Sequence, residues 1–393
     1  MPPSFPNGFL WGTATAAHQV EGNNVNNDWW AFEHDPARGV REPSGDACDQ
    51  YHRFRDDIEL VADLGLRVYR LSIEWSRIEP VEGEFSVAVL DHYRRVLDTC
   101  HQHAVLPCVT FHHFTTPRWA TDDGGWEQPA IVDRFTRFCE RTVAHLGDLI
   151  AIANTINEPN IVSLMGWLVG AFPPGRHDLG LYATVNEHLK AAHVRAYETL
   201  KAGPGDFPAG SAIAMGDWWI EPGPDSDETL TRTRDMHERQ HLEAARAGDF
   251  VGVQAYSRTR LSAAGLPLGP EPGRRVVESM GYEFWPDALE VAVRYAAEVT
   301  GLPVIVTENG IGTHDDAERI EYTTGALRGL ARCIADGVDV RGYFHWSLLD
   351  NFEWALGYEP TFGLVAVDRT TQARTPKPSA RWLGDLARAN AVP

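Results

Sequence analysis

The chain has 393 residues, of which 43% are hydrophobic and 23% charged, a composition typical of globular proteins rather than disordered or fibrous ones. That length suits two average domains or one large α/β barrel. Because 55 acidic residues outnumber 35 Lys and Arg, the net charge of −20 disfavours nucleic acid and anionic membrane surfaces as partners. No apolar run approaches the roughly 18 to 20 residues of a membrane span.

The cysteines and the N-terminal residues bear on the compartment. Five scattered cysteines, an odd number without a CxxC pair, are typical of buried thiols in a reducing environment. The first residues show neither a basic segment nor an apolar run of the kind that precedes a secretory cleavage site. We therefore expect a cytoplasmic protein, and the sequence leaves open whether it forms a homo-oligomer.

Short apolar runs rich in β-branched and aromatic residues alternate with helical patterns along the chain. The predicted strands, in chain order, are 9–16, 68–73, 106–111, 149–156, 211–219, 250–256, 303–307 and 340–347. The predicted helices are 51–64, 87–101, 131–146, 185–201, 288–299, 322–335 and 379–389. Alternating strands and helices predict a parallel sheet. The eight strands favour an α/β fold with a closed (β/α)₈ TIM barrel, formed by residues 1–393 as a single domain, over an open doubly wound sheet.

Two glutamates directly follow strand patterns on opposite sides of the predicted barrel. Catalytic groups of such barrels come from the C-terminal ends of the strands, and Glu158 and Glu308 follow the fourth and seventh runs. A single Glu after a strand is usually a helix cap or a surface ion pair. Here each stands beside an amide, Asn157 or Asn309, and a pair of carboxylates is what glycoside hydrolysis requires.

Seven segments in chain order resemble motifs of the retaining β-glycosidases of glycoside hydrolase family 1. They are 9–21 (FLWGTATAAHQVE), 69–78 (YRLSIEWSRI), 110–117 (TFHHFTTP), 155–159 (TINEP), 306–310 (VTENG), 346–354 (WSLLDNFEW) and 375–382 (TPKPSARW). The resemblance runs nearly from end to end of the chain. It implies hydrolysis of a small-molecule β-glycoside, with no cofactor and no metal.

The resemblance also implies a role for individual residues. Glu308 is expected to be the nucleophile and Glu158 the acid and then the base, with their carboxyls about 5 to 5.5 Å apart. Arg70 and Tyr256 are expected to orient the nucleophile. The residues expected to bind the sugar are Gln19, His113, Asn157, Gln254, Trp346, Glu353, Trp354 and Phe362. The expected substrate is a terminal β-D-glucoside, with β-fucosides and β-galactosides as side activities.

Some features depart from the family pattern, and two of them, Asn160 and a short segment, bear on the leaving group. Gln254 and Ala255 stand where Asn and Tyr are usual, Asn160 replaces a common aromatic residue, and Thr361 replaces a common Arg. The segment between the fifth and sixth strands is also short. An alternative within the family is therefore an enzyme specialised for disaccharide glycosides or for natural-product glycosides.

Two alternatives lie outside the class of glycosidases. His237 and His241 form a literal HExxH, the zinc-protease motif, but their segment 231–246 is rich in charged residues and reads as a solvated helix. The other alternative is a sugar-binding protein without catalytic activity, which the two intact glutamates disfavour.

Tyr282 is a candidate residue for the wall of the site on the side where the leaving group binds.

Overall fold

The computed structural model describes residues 4–393, and within them eight parallel strands close into a barrel. We number the strands β1 to β8 in chain order, and each pairs with its neighbours in sequence while β8 pairs with β1. They are Leu10–Ala14, Val68–Ser72, Leu106–His112, Ile152–Asn157, Ala209–Ala214, Phe250–Gln254, Val304–Asn309 and Val340–Trp346. The predicted (β/α)₈ barrel is confirmed.

Seven of the eight longer helices match predicted ones, although two begin six residues earlier than predicted, and Ser226–Arg234 matches none. The eight are Gln50–Asp63, Val87–Gln102, Ala130–Leu146, Leu179–Ala202, Ser226–Arg234, Ala288–Thr300, Asp316–Ala335 and Pro378–Ala389. Their local chemistry explains their bounds: Ser86, for example, accepts a hydrogen bond from the Val89 N–H at 3.3 Å and so caps one helix. Within residues 4–393, no helix is long and apolar enough to cross a membrane. The predicted lack of a targeting segment rests partly on residues 1–3, which lie outside the described residues.

Shorter helical turns fill the loops at the C-terminal mouth of the barrel. They include Ala17–Val20, Asp28–Glu33, Trp75–Ile78, Arg118–Asp122 and Pro159–Ser163, with a π-helical turn at Leu164–Leu168. The helix Ser226–Arg234, by contrast, continues through the π-helical turn Asp235–Arg239 into Gln240–Ala245, which precedes β6. Three two-stranded sheets lie outside the barrel: Val276–Val277 with Tyr282–Glu283, Val365–Val367 with Arg374–Pro376, and Asp217–Ile220 with Arg258–Leu261. These loops carry most of the wall of the mouth.

The fifth predicted strand is two strands in the structure. Residues 209–214 belong to the barrel, whereas Asp217–Ile220 pairs with Arg258–Leu261 above it. Gly216 lies between the two strands and interrupts the apolar run. The single predicted strand over 211–219 was therefore wrong, because an apolar run does not itself reveal a break in direction.

The prediction of a solvated helix over 231–246 was also wrong. Glu238, His241, Leu242 and Ala245 are buried, and the segment contains the π-helical turn Asp235–Arg239. These four positions have the i, i+3, i+4, i+7 spacing of one face of an α-helix, and that face is turned inward. Charge content alone concealed that face.

The two ends of the barrel interior differ in chemistry. Apolar side chains from six strands fill the N-terminal part: Val68, Cys108, Ile152, Phe250, Ile305 and Phe344. Toward the C-terminal end the buried side chains become polar, with Arg70, Asn157 and Glu308 facing one another. This polarity places the chemistry at the C-terminal mouth, as in barrels of this architecture.

Gly310 allows the ends of β7 and β8 to come together beside the carboxylates. A Cβ atom at this position would lie 2.0 Å from the main-chain oxygen of Trp346, which is backbone and cannot rotate away. We expect Gly310→Ala to lower the free energy of unfolding by about 1 to 3 kcal/mol, the usual cost of overpacking. Urea denaturation followed by tryptophan fluorescence measures this change.

Gly216→Ala is the matched control for that substitution. A Cβ atom there meets nothing closer than 3.8 Å, so its free energy of unfolding should stay within about 0.5 kcal/mol of the wild type. Equal stability of Gly310→Ala and the wild type would contradict the steric argument.

Candidate active site

A cavity of about 310 Å³ opens at the C-terminal mouth of the barrel. Its walls include eleven of the residues predicted from the sequence: Gln19, His113, Asn157, Glu158, Tyr256, Tyr282, Glu308, Trp346, Glu353, Trp354 and Phe362. Two predicted residues stand outside these walls: Arg70 is fully buried behind the cavity, and Gln254 lines a neighbouring one. The structure thus brings the predicted residues together around one space.

The Glu308 carboxylate is held at both of its oxygens. Arg70 donates a hydrogen bond from Nη1 to Oε1 at 2.5 Å, and the Tyr256 hydroxyl donates to Oε2 at 2.6 Å. Glu308 lies within β7, so the backbone that carries it is part of the barrel sheet. The carboxylate therefore has a fixed position and two donors that stabilise its ionised form.

Asn157 and Gln254 extend this arrangement along the floor of the cavity. Asn157 Oδ1 accepts hydrogen bonds from Arg70 Nη2 at 2.5 Å and from Gln254 Nε2 at 2.8 Å. These two hydrogen bonds fix the orientation of the Asn157 amide. In this orientation Nδ2 has no hydrogen-bond partner among the described residues. A buried donor of this kind is available to a substrate hydroxyl.

Glu158 has a different environment from Glu308. It follows β4 with a left-handed backbone conformation (φ 44°), and Pro159 then begins the short helix Pro159–Ser163. Among the described residues, no side chain or N–H group donates a hydrogen bond to the Glu158 carboxyl. Burial, with the nearby negative charge of Glu308 as a second cause, holds the pKa of Glu158 well above its usual value.

The pKa of Glu158 is raised more strongly than that of Glu308. Burial also raises the pKa of Glu308, but the charge of Arg70 and the hydrogen bond from Tyr256 oppose that rise. The charge of Arg70 also lowers the pKa of Glu158, but among the described residues no hydrogen bond to the Glu158 carboxyl adds to that effect. Two carboxyls with opposed environments can take the acid and the nucleophilic roles of one reaction.

A clamp of polar and aromatic side chains forms another wall of the cavity. Its residues follow β1 and β3 or belong to the end of β8 and the loop after it. Gln19 Nε2 donates to the main-chain oxygen of Phe352 at 2.7 Å and lies 3.4 Å from Glu353 Oε2, while Gln19 Oε1 is unpartnered among the described residues. Burial, followed by the charge of Glu308, raises the pKa of Glu353 to about 8. The His113 ring lies nearly parallel to the indoles of Trp346 and Trp354, inclined by 22° and 17°, with centroids 5.9 and 6.2 Å away. Amide groups beside aromatic faces suit the hydroxyls and apolar face of a sugar ring.

Three side chains that sequence reasoning did not assign hold this site in place. The Tyr322 hydroxyl donates to the main-chain oxygen of Tyr256 at 2.7 Å, and the Tyr343 hydroxyl donates to Asn309 Oδ1 at 3.0 Å. Asn309 Nδ2 in turn donates to the main-chain oxygen of Ala255 at 2.6 Å. Asn309 of β7 therefore connects β8 with the residue that follows β6, and it is not part of the cavity wall. Its position beside Glu308 was the only signal of this role in the sequence.

The apolar walls supplied by loops were also missed. Met165, Phe172 and Met280 line the cavity, and Phe172 packs edge-on to Trp29 at 4.8 Å. None of them follows a strand pattern, so the sequence contained no signal that distinguished them from core residues.

The HExxH residues take part in separate contacts. His237 stacks on Trp218, whereas His241 is buried and hydrogen-bonded to Asn186 Oδ1 at 2.7 Å. Glu238 accepts hydrogen bonds from Gly216 N and Trp218 Nε1. In the part of the chain that the structure describes, no group of three His, Cys, Asp or Glu side chains could hold a metal ion.

A (β/α)₈ barrel with two buried carboxyls facing an amide-rich, aromatic clamp is an arrangement suited to cleaving glycosidic bonds. The model of glycosyl hydrolase family 1 matches residues 1–265 and 274–392. The chain belongs to that family, and it is a glycoside hydrolase of the β-glucosidase type.

Individual relatives agree with this assignment. The chain is 35% identical to thermostable beta-glucosidase B of Thermobispora bispora, across 99% of this chain and 92% of that protein. It is 47% identical to the crystal structure of beta-glycosidase BGL167, with a TM-score of 0.92 and 98% of each chain covered. A beta-glucosidase from Thermotoga maritima is 29% identical, with TM-scores of 0.92 and 0.91 for its complexes with glucoimidazole and galacto-hydroximolactam; both cover 99% of this chain and 99% or more of the other.

Proposed function

We propose that the protein is an exo-acting retaining β-glycosidase that removes terminal non-reducing β-D-glucosyl residues. The observation that carries this proposal is the contrast between the two buried carboxyls. Glu308 has an arginine and a tyrosine as donors, whereas Glu158 is buried without a donor among the described residues. That contrast fits one nucleophile and one acid.

In the first step, a Glu308 oxygen attacks the anomeric carbon of the bound glucoside. A bond forms between that oxygen and C1, the bond from C1 to the leaving oxygen breaks, and the leaving oxygen takes the proton from Glu158. In the second step, Glu158, now ionised, removes a proton from water as the water oxygen attacks C1. Glu308 leaves as the carboxylate, and two inversions restore the β configuration.

The walls of the cavity support an unphosphorylated sugar. Among the described residues that line it, none is Lys or Arg, and the Glu353 carboxyl stands in the clamp. A phosphate group would lose its hydration there without a cation to balance it. The related Thermotoga maritima protein has been crystallised separately with glucoimidazole and with galacto-hydroximolactam. Its binding of both types of ligand supports β-galactosides as secondary substrates of the present protein.

The stereochemistry of the product tests this proposal. With 4-nitrophenyl β-D-glucoside as substrate, proton NMR recorded during the first minutes should show the β anomer of glucose appearing before the α anomer. Retention follows from the two displacements on Glu308. First appearance of α-glucose would show a single displacement by water and would contradict the proposed nucleophile.

The pH profile tests the assignment of the acid. Only protonated Glu158 can donate to the leaving oxygen, so kcat/KM should fall as the pH rises through its pKa. Because burial and Glu308 raise that pKa, the fall should lie above the ordinary carboxyl range. Initial rates between pH 4 and 10 with an alkyl β-glucoside measure it.

Two variants assign the alkaline limb of that profile. With 4-nitrophenyl β-D-glucoside as the common substrate for the wild type and both variants, Glu158→Gln should lose the limb that the wild type shows, because the amide does not titrate. Glu353→Gln, which removes a neighbouring carboxyl with a pKa of about 8, should keep it. The reverse pattern would assign the limb to Glu353 and would contradict the role of Glu158.

A further inference from the structure

A polar network lies behind the sugar clamp, outside the walls of the cavity. His18 comes directly before Gln19 in the short helix Ala17–Val20, and both side chains are buried. The ring of His18 stacks on the indole of Trp354, with centroids 5.8 Å apart and planes inclined by 8°. Gln19 and Trp354 line the cavity, whereas His18 does not. His18 therefore contacts the clamp from behind, without facing the sugar.

The hydrogen bonds of the His18 ring have a fixed direction. Asn27 Oδ1 accepts a hydrogen bond from the Trp30 N–H at 2.8 Å, so the other end of that amide, Nδ2, donates to His18 Nδ1 at 3.0 Å. Since Nδ1 accepts, the ring proton is on Nε2, and it is donated to Glu33 Oε2 at 3.2 Å. Both ring nitrogens are thus paired, which sets the plane of the ring.

Glu33 connects this ring to the far side of the clamp. Its second oxygen, Oε1, accepts hydrogen bonds from Ser44 N at 3.2 Å and from Ser44 Oγ at 2.6 Å. The main-chain oxygen of Ser44 accepts one from the hydroxyl of Tyr358, in the loop after β8 that also carries Trp354. The network therefore joins the segment after β1 to the loop after β8, which between them supply Gln19 and Trp354.

Trp354 is a residue whose conformation depends on its surroundings. Its backbone is in the left-handed region, with a φ of 52°, which is unfavourable for a residue with a bulky side chain. Such a conformation persists only where neighbouring contacts hold it. The His18 ring lies nearly parallel to the indole, and Trp29 packs against it with a centroid distance of 4.7 Å. The network behind His18 therefore contributes to the position of Trp354.

We propose that His18 is a positioning residue of the sugar clamp, and that its pairing with Asn27 and Glu33 determines how strictly the enzyme recognises the sugar hydroxyl at C4. C4 is the ring carbon opposite C1, so a pyranose whose C1 is at the nucleophile presents its C4 hydroxyl to the clamp. His18 acts there through Gln19 and Trp354. This inference rests on the proposed function, since it concerns the same bound sugar.

Deoxy analogues of one substrate measure this recognition. For 4-nitrophenyl β-D-glucoside, removal of the C4 hydroxyl should lower kcat/KM of the wild type about tenfold or more, because the buried groups that met it lose their partner. Removal of the C2 hydroxyl, which lies beside C1 and away from the clamp, gives a reference loss. The ratio of kcat/KM for the glucoside to that for each analogue does not depend on the fraction of enzyme that is folded.

Glu33→Gln breaks the pairing without a change of size. Because Ser44 N can only donate, the carbonyl oxygen of the new amide has to stay at Ser44, and its NH2 group then faces the Nε2–H of His18. Two donors cannot pair, so the ring loses its anchor. We expect the C4 ratio to shrink by about threefold or more, the scale of coupling between contacting residues, while the C2 ratio stays within about twofold of the wild type. His18→Phe, which keeps a flat ring but neither nitrogen, should show the same selective change and decides the matter if Glu33→Gln does not fold.

Glu79→Gln is the matched control. Glu79 is also a buried glutamate with donors at both oxygens, among them the Trp75 indole and Arg137, but it lies outside the walls of the cavity. Its stability should fall while both ratios equal those of the wild type. Unchanged ratios in Glu33→Gln and His18→Phe, or equal changes at C2 and C4, would overturn the inference and leave the proposed hydrolysis intact. Absence of turnover of every β-glucoside by the wild type would instead contradict the proposed function.

Discussion

Glu308→Ala is expected to lower kcat for 4-nitrophenyl β-D-glucoside by about 10⁴-fold or more, the scale on which loss of a catalytic nucleophile is felt. The expected loss is large because Glu308 supplies the bond to C1 in the first step, and the geometry offers no second group that Arg70 and Tyr256 hold in the same way. Steady-state rates at saturating substrate measure the effect. The variant should still bind sugar, since the clamp residues are unchanged.

Added azide distinguishes loss of the nucleophile from general damage. The missing carboxylate leaves space on the face of C1 opposite the leaving oxygen, and azide entering there should restore turnover and yield the α-glucosyl azide. Glu298→Ala, which removes an exposed glutamate from the helix Ala288–Thr300, should retain wild-type activity. Recovery of the β-glucosyl azide from Glu308→Ala would contradict its role as nucleophile.

Glu158→Ala is expected to have an effect that depends on the leaving group. For methyl β-D-glucoside, kcat/KM should fall by about 10²- to 10⁴-fold, the usual contribution of a general acid. For 2,4-dinitrophenyl β-D-glucoside, whose phenolate leaves without a proton, the loss in kcat/KM should be far smaller. The comparison of these two substrates measures proton donation directly.

The second step supplies an independent readout for Glu158. Without a base, the glycosyl-enzyme intermediate should persist, and azide should attack it to give the β-glucosyl azide, opposite in configuration to the product of Glu308→Ala. Glu198→Ala, at an exposed position of the helix Leu179–Ala202, is the control and should behave as the wild type. Equal losses for both leaving groups would contradict proton donation by Glu158.

Sequence reasoning was most successful where chemistry follows a regular strand. Gln19, Glu158 and Glu308 all occur at or just after strand patterns, and the structure brings them to one cavity because parallel strands end at the same rim. The alternation of strands and helices was likewise sufficient to predict the closed barrel. Here local pattern and overall architecture agree, so the sequence alone was informative.

The loops were less predictable, because their conformations depend on contacts distant in the sequence. The π-helical turn Asp235–Arg239 and the break at Gly216 place Trp218 beside His237, and neither feature has a periodic signal. Gln254 was expected in the sugar site, but its amide donates to Asn157 and its side chain lines the adjoining cavity. The Gln254 amide therefore orients Asn157 from outside the walls of the first cavity.

Trapping of the covalent intermediate tests the central assignment most directly. A 2-deoxy-2-fluoro-β-D-glucosyl fluoride slows both steps but carries a good leaving group, so the fluoroglucosyl enzyme should accumulate. Intact mass should rise by one fluoroglucosyl unit per chain, and peptide mapping should place that unit on Glu308. A label on any other residue, or an unlabelled enzyme that still hydrolyses β-glucosides, would contradict the covalent mechanism proposed here.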